Sequence, residues 1–371
     1  MSAILDKLLK GQNVEWLPLG EALKRTKGTS ITAGQMKELH KDNAPVKIFA
    51  GGKTFAIVNY EDIPSKDINN EPSIIVKSRG IIEFEYYDKP FSHKNEMWAY
   101  HSQNSNIAIK YVYYFLKTQE QHFQNIGSKM QMPQIATPDT DKFLIPIPPL
   151  DVQAEIVRIL DKFTAITAEL TAELNMREKQ YQYYRDKLLT FSDNEIIWKS
   201  LGDVCSLGVG QAPTSNEEGK FIFMNAGTTP ASYLSIYNTE GDTITTPSRG
   251  QGGIGFVAYQ NDKFWCGPLC YRIKSIDKSV MTKYLYYYLS KNSMQIIALA
   301  NMVGVPALNR KELITLKLPI PPLDEQKRIV EILDKFETLT HSITEGLPKE
   351  IALRQRQYEY YREQLLDFPK D

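Results

Sequence analysis

"PIPPLDVQAEIVRILDKF" runs from Pro146 to Phe163, and "PIPPLDEQKRIVEILDKF" runs from Pro319 to Phe336. Fourteen of the eighteen positions are identical, at a constant offset of 173 residues. A chain of 371 residues therefore carries one passage twice, half its length apart. Working outward, "KYVYYFLK" (Lys110 to Lys117) answers "KYLYYYLS" (Lys283 to Ser290), and Pro133 answers Pro306, both again at 173. "SRG" at Ser78 to Gly80 answers "SRG" at Ser248 to Gly250, and "WLPLGEAL" from Trp16 answers "WKSLGDVC" from Trp198. "LDKLL" (Leu5 to Leu9) echoes "RDKLL" (Arg185 to Leu189). Each half reads as a globular block, a proline-rich hinge and a long charged segment.

The charged segments are helical by periodicity. Asp151 is placed to cap an N-terminus, and Glu155 suits the positive end of the first turn. Steps of four and three from Ile156 meet Leu160, Phe163, Thr167, Leu170, Leu174, Arg177, Tyr181, Tyr184 and Leu188. Eight of those ten are apolar or aromatic over more than four heptads, which is the seam of a coiled coil. The second copy keeps its stripe from Ile329 to Leu347, steps by four to Ile351, and resumes through Tyr358, Tyr361 and Leu365. That insertion coincides with "EGLP" (Glu345 to Pro348), and a proline inside a helix predicts a break there. The blocks are rich in aromatic and β-branched residues with glycine-rich turns, which predicts short strands finished by one helix, an α+β fold. The expected order is a helical stub over 1–13, a first block over 14–149, a long helix over 150–191, a second block over 192–322, and a distal helix over 323–371 broken near Pro348. Two matching helices most economically bury their stripes against each other, antiparallel, giving a pseudo-two-fold object whose two heads suit a two-fold partner such as duplex DNA.

Composition is that of a globular protein, with 42% hydrophobic and 24% charged residues. No window approaches the ~18 apolar residues of a membrane span, and the start "MSAILDKLLKG" lacks a secretory pattern. Three cysteines, Cys205, Cys266 and Cys270, are a sparse, odd set that suits a reducing cytoplasm. Net charge is zero, but it is unevenly placed. Residues 14–143 carry 16 Lys+Arg against 15 Asp+Glu, and 198–317 carry 12 against 8. The helical segments are acidic, with 6 against 7 over 151–190 and 8 against 11 over 324–371. Mildly basic blocks permit a DNA partner without requiring one.

The proline-rich entries, the helices behind them and the tails "QYQYYRDKLLTF" (Gln180 to Phe191) and "QYEYYREQLLDF" (Gln357 to Phe368) resemble the specificity (S) subunits of type I restriction–modification systems. The resemblance covers essentially the whole chain. It implies two target-recognition domains, each reading one half of a bipartite asymmetric site in double-stranded DNA, held apart by an antiparallel coiled coil. It further implies that adenine methylation with S-adenosylmethionine belongs to methyltransferase (M) subunits. ATP-driven translocation and cleavage, with Mg, would belong to restriction (R) subunits. The chain itself is then expected to hold no cofactor and no catalytic residue, to touch no membrane and to be cytoplasmic.

The candidate DNA-facing residues sit where the blocks differ or where "SRG" recurs. "FAGGKTFAI" stands where "MNAGTTPAS" does, so different loops on one scaffold should read different bases. "GGKT" (Gly51, Gly52, Lys53, Thr54) resembles the end of a phosphate loop, but the first glycine of that pattern falls on Lys47, so the motif fails. Asn225 and Thr228 hold similar positions in the second block, and Asn225 pairs with adenine or simply closes a turn. In Ser78, Arg79, Gly80 and in Ser248, Arg249, Gly250, Gln251, Gly252, each arginine contacts phosphate, forks onto guanine or is a solvated surface cation. Gly250, Gly252 and Gly255 have GxGxxG spacing, but "FVAY" after them is strand-like, which favours a plain glycine turn. Cys266 and Cys270 have no third ligand nearby for zinc, and His93 and His101 flank Trp98 with no nucleophile pattern. Tyr181, Tyr184, Tyr358 and Tyr361 fit the seam. Tyr183 and Tyr360 point elsewhere and are candidates for docking another subunit.

Two other function classes fit the sequence less well. The alternative of a self-contained methyltransferase or nuclease meets one objection: an adenine methyltransferase needs an (N/D)PP(Y/F) string, and the only Pro-Pro pairs here follow isoleucine. A bare coiled-coil scaffold explains the helices but not two matched basic blocks.

Overall fold

Each block contains the same three sheets in the same connectivity. The computed structural model describes residues 2–127, 132–192 and 196–369; residues 193–195, at the expected start of the second block, lie outside them. The chain divides into two units, Met1–Glu169 with Ile351–Asp371, and Leu170–Glu350.

In the first unit an antiparallel sheet runs Lys24–Arg25, Trp98–His101, Ser73–Lys77, Glu83–Tyr87. Beside it Phe55–Val58 pairs antiparallel with Val46–Phe49, which pairs parallel with Phe91–His93. The second unit repeats both. Cys205–Val209, Cys270–Ser275, Thr243–Pro247 and Ala258–Gln260 form the four-stranded sheet, and Ser232–Leu234, Phe221–Met224 and Trp265–Cys266 the three-stranded one. Ser73–Lys77 and Thr243–Pro247 carry β-branched residues and are buried almost throughout, as strands covered on both faces must be.

The proline-rich passages are not free hinges. Leu144–Ile147 pairs with Glu15–Pro18, placing Trp16 opposite Pro146; Lys317–Ile320 pairs with Ile197–Ser200, placing Trp198 opposite Pro319. These two-stranded ladders tolerate proline because only one side needs donors. They also explain why "W…L" and "PIP" recur together.

The remaining repeats tie one short helix to the long one. Tyr111 of Ile109–Thr118 donates to Pro146 O at 2.9 Å, and Tyr284 of Thr282–Lys291 to Pro319 O at 3.0 Å. Asp161 accepts from Tyr114 at 2.5 Å and from Lys110 at 2.8 Å. Asp334 receives Tyr287 at 2.5 Å and pairs with Lys283 at 2.9 Å. Gln153, fully buried, donates to Asn106 O and Pro148 O while accepting from Ala108 N. Gln326, also fully buried, does the same with Ser279 O, Pro321 O and Met281 N. Each glutamine thus satisfies three backbone groups in an interior where an unpaired one is costly.

The central helix is continuous over Leu150–Leu188, 39 residues or about 60 Å. The distal segment is two helices, Leu323–His341 and Gly346–Leu365. The interruption falls at 342–345, where Ser342 Oγ accepts from Thr344 N and Glu345 N. Gly346 has φ +74°, and a Cβ there would lie 2.4 Å from Thr338 O. Pro348 sits in the first turn of the second helix, where a missing N–H leaves no bond unmade.

Within the first unit Phe163 stacks on Tyr361 at 5.2 Å, and within the second Phe336 stacks on Tyr184 at 5.6 Å. The same contact is made twice with roles exchanged: the phenylalanine of "LDKF" from one copy meets the tyrosine of "YYR" from the other. In the second unit Tyr181 touches both His341 and Phe336 while Tyr184 touches Phe336, so these helices run antiparallel. The short helix Ala3–Leu9 is not an appendage. Leu5 and Leu9 are buried in the first unit's core with Leu365, Leu366 and Phe368, and Ser2 Oγ donates to Gln364 O.

Candidate nucleic-acid interface

Each unit gathers four loops through matched backbone bonds. In the first, Ile135 N donates to Ser78 O (3.0 Å) and Gly80 N to Pro133 O (2.9 Å), so Arg79 lies opposite Gln134. In the second, Leu308 N donates to Ser248 O (2.9 Å) and Gly250 N to Pro306 O (3.1 Å), so Arg249 lies opposite Ala307. The third loop joins through Phe49 O, which accepts from Lys94 N at 2.9 Å, and Met224 O, which accepts from Gly267 N at 2.8 Å. The fourth is the hairpin tip carrying those carbonyls, 50–54 in one unit and 225–231 in the other.

Backbone geometry and burial account for the serine and glycine of each "SRG" triplet. Ser78 and Ser248 are buried, and Ser78 Oγ donates to Glu96 O at 3.3 Å. Gly80 has φ +77° and Gly250 φ +114°, conformations that penalise a side chain. The serines and glycines shape the clamp, while Arg79 and Arg249 are exposed on it. Neither guanidinium is hydrogen-bonded or ion-paired among the described residues. The GxGxxG stretch is a turn: Gly252 and Gly255 also have positive φ, and the strand Ala258–Gln260 follows.

The tips differ in chemistry. Gly51, Gly52, Lys53 and Thr54 close a tight hairpin, with Ala50 N bonded to Thr54 O at 3.0 Å; Lys53 and Thr54 are exposed. Below them Lys47 Nζ stands 5.1 Å from the exposed Phe55 ring and 3.3 Å from Glu85. In the second unit Thr228 is exposed, but Asn225 Oδ1 accepts from Leu269 N at 2.9 Å. That bond ties the tip to the 267–269 loop and takes one of the two lone pairs of the oxygen that a two-bond adenine contact would use. This tip leans on the "SRG" loop, since a Cβ on Gly253 would lie 2.3 Å from Ala226 O. Gln251 and Gly252 are exposed beside it.

The third loop was not legible as part of a site. In the first unit it carries a Lys94–Glu96 ion pair at 2.6 Å. Burial pushes the Glu96 carboxyl up, but bonds from Lys94 and a backbone N–H, with the charges of Lys94 and Arg79, outweigh it and hold the group below the usual carboxylate range. The matching residues Gly267 to Leu269 have no charge. The signal available was the constant offset: "HKNEM" (His93 to Met97) stands 173 residues before "CGPLC" (Cys266 to Cys270).

Other candidates resolve simply. His93 is buried, with Nε2 2.8 Å from Thr26 Oγ1 and Nδ1 3.0 Å from Lys94 O. The three cysteines are free and buried, and burial pushes the Cys205 thiol up to about 12. The described residues hold no group of three His, Cys, Asp or Glu side chains placed for a metal ion, and no helix among them is long and apolar enough to cross a membrane. Tyr183 and Tyr360 are 60% and 55% exposed, each edge-on to the tyrosine that follows it, Tyr184 and Tyr361.

Residues 24–177 and 195–353 match the type I restriction modification DNA specificity domain. The chain is 36% identical to the EcoR124I/EcoR124II type I restriction enzyme specificity subunit of Escherichia coli, over 99% of this chain and 97% of that one. It is 32% identical to a putative type I restriction enzyme specificity subunit of Haemophilus influenzae, over 98% of each. The crystal structure of a type I restriction–modification S subunit from M. genitalium shares the fold, with a TM-score of 0.69 at 20% identity and 97% of each chain covered. Two copies of one clamp, each with its own tip, thus coincide with two matches to one domain, and the chain belongs to the family of type I restriction–modification DNA specificity subunits.

Proposed function

We propose that the first unit reads one half, and the second unit the other half, of a bipartite asymmetric site in double-stranded DNA. The observation that carries this reading is the repeated clamp with unlike tips: Lys53 and Thr54 with a charged neighbouring loop in one, Thr228 and Gln251 with an uncharged loop in the other. Phosphate contacts position a protein on DNA and base contacts specify, so equal scaffolds with unequal tips fit unequal half-sites.

The chain supplies specificity and no chemistry of its own. Methyl transfer from S-adenosylmethionine is assigned to M subunits, and ATP- and Mg-dependent work to R subunits. Tyr183 and Tyr360 are assigned to docking these partners, because each presents an exposed ring outside the helix seam, as hot-spot aromatics do. The test is to purify the chain with its methyltransferase and map methylated adenines on treated DNA. A two-part motif with unlike halves is expected. Methylation by the chain alone, or by the complex without sequence preference, would refute the reading.

A further inference from the structure

The clamp presents more than an arginine. Met132 is 65% exposed and Val305 68% exposed, and the two are 173 residues apart. Each immediately precedes the clamp proline, Pro133 or Pro306, whose carbonyl holds the glycine of "SRG". A residue before proline is biased toward extended backbone, which narrows the direction in which each apolar side chain leaves the chain. In the second unit the approach is stapled further. Asn301 and Ala307 exchange two backbone bonds of 2.9 Å, and Asn301 Oδ1 accepts from Val303 N at 2.9 Å. Each apolar residue stands two positions before the one paired with the arginine, the interval at which extended chain returns to the same face. Both units therefore offer a guanidinium that makes no hydrogen bond or ion pair among the described residues, and an exposed apolar side chain, from adjacent, mutually bonded segments.

We propose that Arg79 with Met132, and Arg249 with Val305, are equivalent sequence-independent DNA anchors, the arginine on a backbone phosphate and the apolar side chain against the neighbouring sugar and base edge. The inference deepens the proposed function and rests on it. Parts that read unlike half-sites must differ between the units, while parts that only grip the duplex can stay alike. The tips and the 94–96 and 267–269 loops differ; the clamp and its arginine are the same in both units, and the residue before the clamp proline stays apolar, Met132 in one and Val305 in the other. The arrangement also decides between the two DNA roles open to these arginines. A guanine fork at both positions would impose the same base on both halves, whereas phosphate is present everywhere.

The test uses the full chain in complex with its methyltransferase, with variants Arg79→Gln, Arg79→Lys, Arg249→Gln, Arg249→Lys, Met132→Ser and Val305→Ser. Each Arg→Gln should weaken cognate and non-cognate duplexes by the same factor and lower the slope of log affinity against log salt by about one. The methylated motif should not change. Arg→Lys should restore most of the affinity, because a phosphate accepts a point charge and a guanine fork does not. Met132→Ser and Val305→Ser should weaken both duplex types alike, by about fourfold, the cost of uncovering roughly one methylene. Relaxation of the motif at one base pair would overturn the proposal in favour of base reading. Unchanged DNA affinity with lost methyltransferase co-purification would overturn it in favour of a protein contact. A wild-type complex that methylates no defined motif would instead defeat the proposed function.

Discussion

Apart from the shared arginines Arg79 and Arg249, the loop cluster of the first unit is built around charge, and that of the second around uncharged polar and apolar groups. Lys53, Lys94 and Glu96 stand in one where Thr228, Gly267 and Leu269 stand in the other. His93, under the first cluster, is replaced by Cys266 under the second at the constant offset. The scaffold beneath repeats its main locks, from the glutamine bonds to the tyrosine–aspartate pairs. The lesson is a division of labour: the satisfied backbone geometry and the clamp it carries are what the duplication preserves, and the exposed side chains of the tips and the third loop are what it releases.

The largest expected effect attacks the shared part. Gln153→Ala leaves two carbonyls and an N–H without partners in the first unit, and Gln326→Ala does so in the second. Each should destabilise its own unit by about 2–4 kcal/mol, read as earlier urea unfolding with loss of hydrogen-exchange protection confined to that unit. Loss spread over both units by either change would erase the distinction drawn here. Next, replacing residues 50–54 with a glycine–serine turn should flatten discrimination in one half of the target by about 1–3 kcal/mol per base pair read. The other half should keep its preference in the same binding assay. Smaller again, Lys53→Ala should lower the salt slope of binding by about one or less, whereas Thr228→Ala should leave that slope unchanged.

The smallest effect is a pH difference. Burial lowers the His93 pKa, against a Lys94 carbonyl and the Glu96 charge that raise it. Its folded pKa is therefore below its unfolded value near 6.5. The unfolded chain binds the proton first, so stability is complete above about pH 6.5 and is lost as pH falls toward the folded value. The slope is at most about 1.4 kcal/mol per pH unit. Hydrogen exchange at pH 7.5 and 5.5 should show the first unit weakening more than the second, and His93→Gln should shrink the difference, leaving the part due to His101, whose pKa burial also lowers. Equal weakening in both units would contradict it.

Much of the architecture was legible because repetition exposes what packing needs. The constant offset marked the residues that turn out to be buried or bonded: Tyr111 and Tyr284, Asp161 and Asp334, Gln153 and Gln326. The long helix was visible in its 4–3 stripe. The proline passages read as hinges because proline is rare in sheets, and only the pairing of Trp16 and Trp198 with them reveals ladders. Pro348 read as a helix breaker because sequence does not show which side of a helix start it occupies. Of the candidate site, "SRG" was found, yet only its arginine faces outward. The 94–96 and 267–269 loops were missed because what joins them to the cluster is a bond between backbone groups, Lys94 N to Phe49 O and Gly267 N to Met224 O, which every residue has.

The most direct measurement exchanges residues 14–143 for the corresponding block of a family member with a different target, then maps methylated adenines with the same methyltransferase. The account predicts that one half of the motif changes to that of the donor while the other half stays as it was. A change in both halves, or in neither, would contradict it.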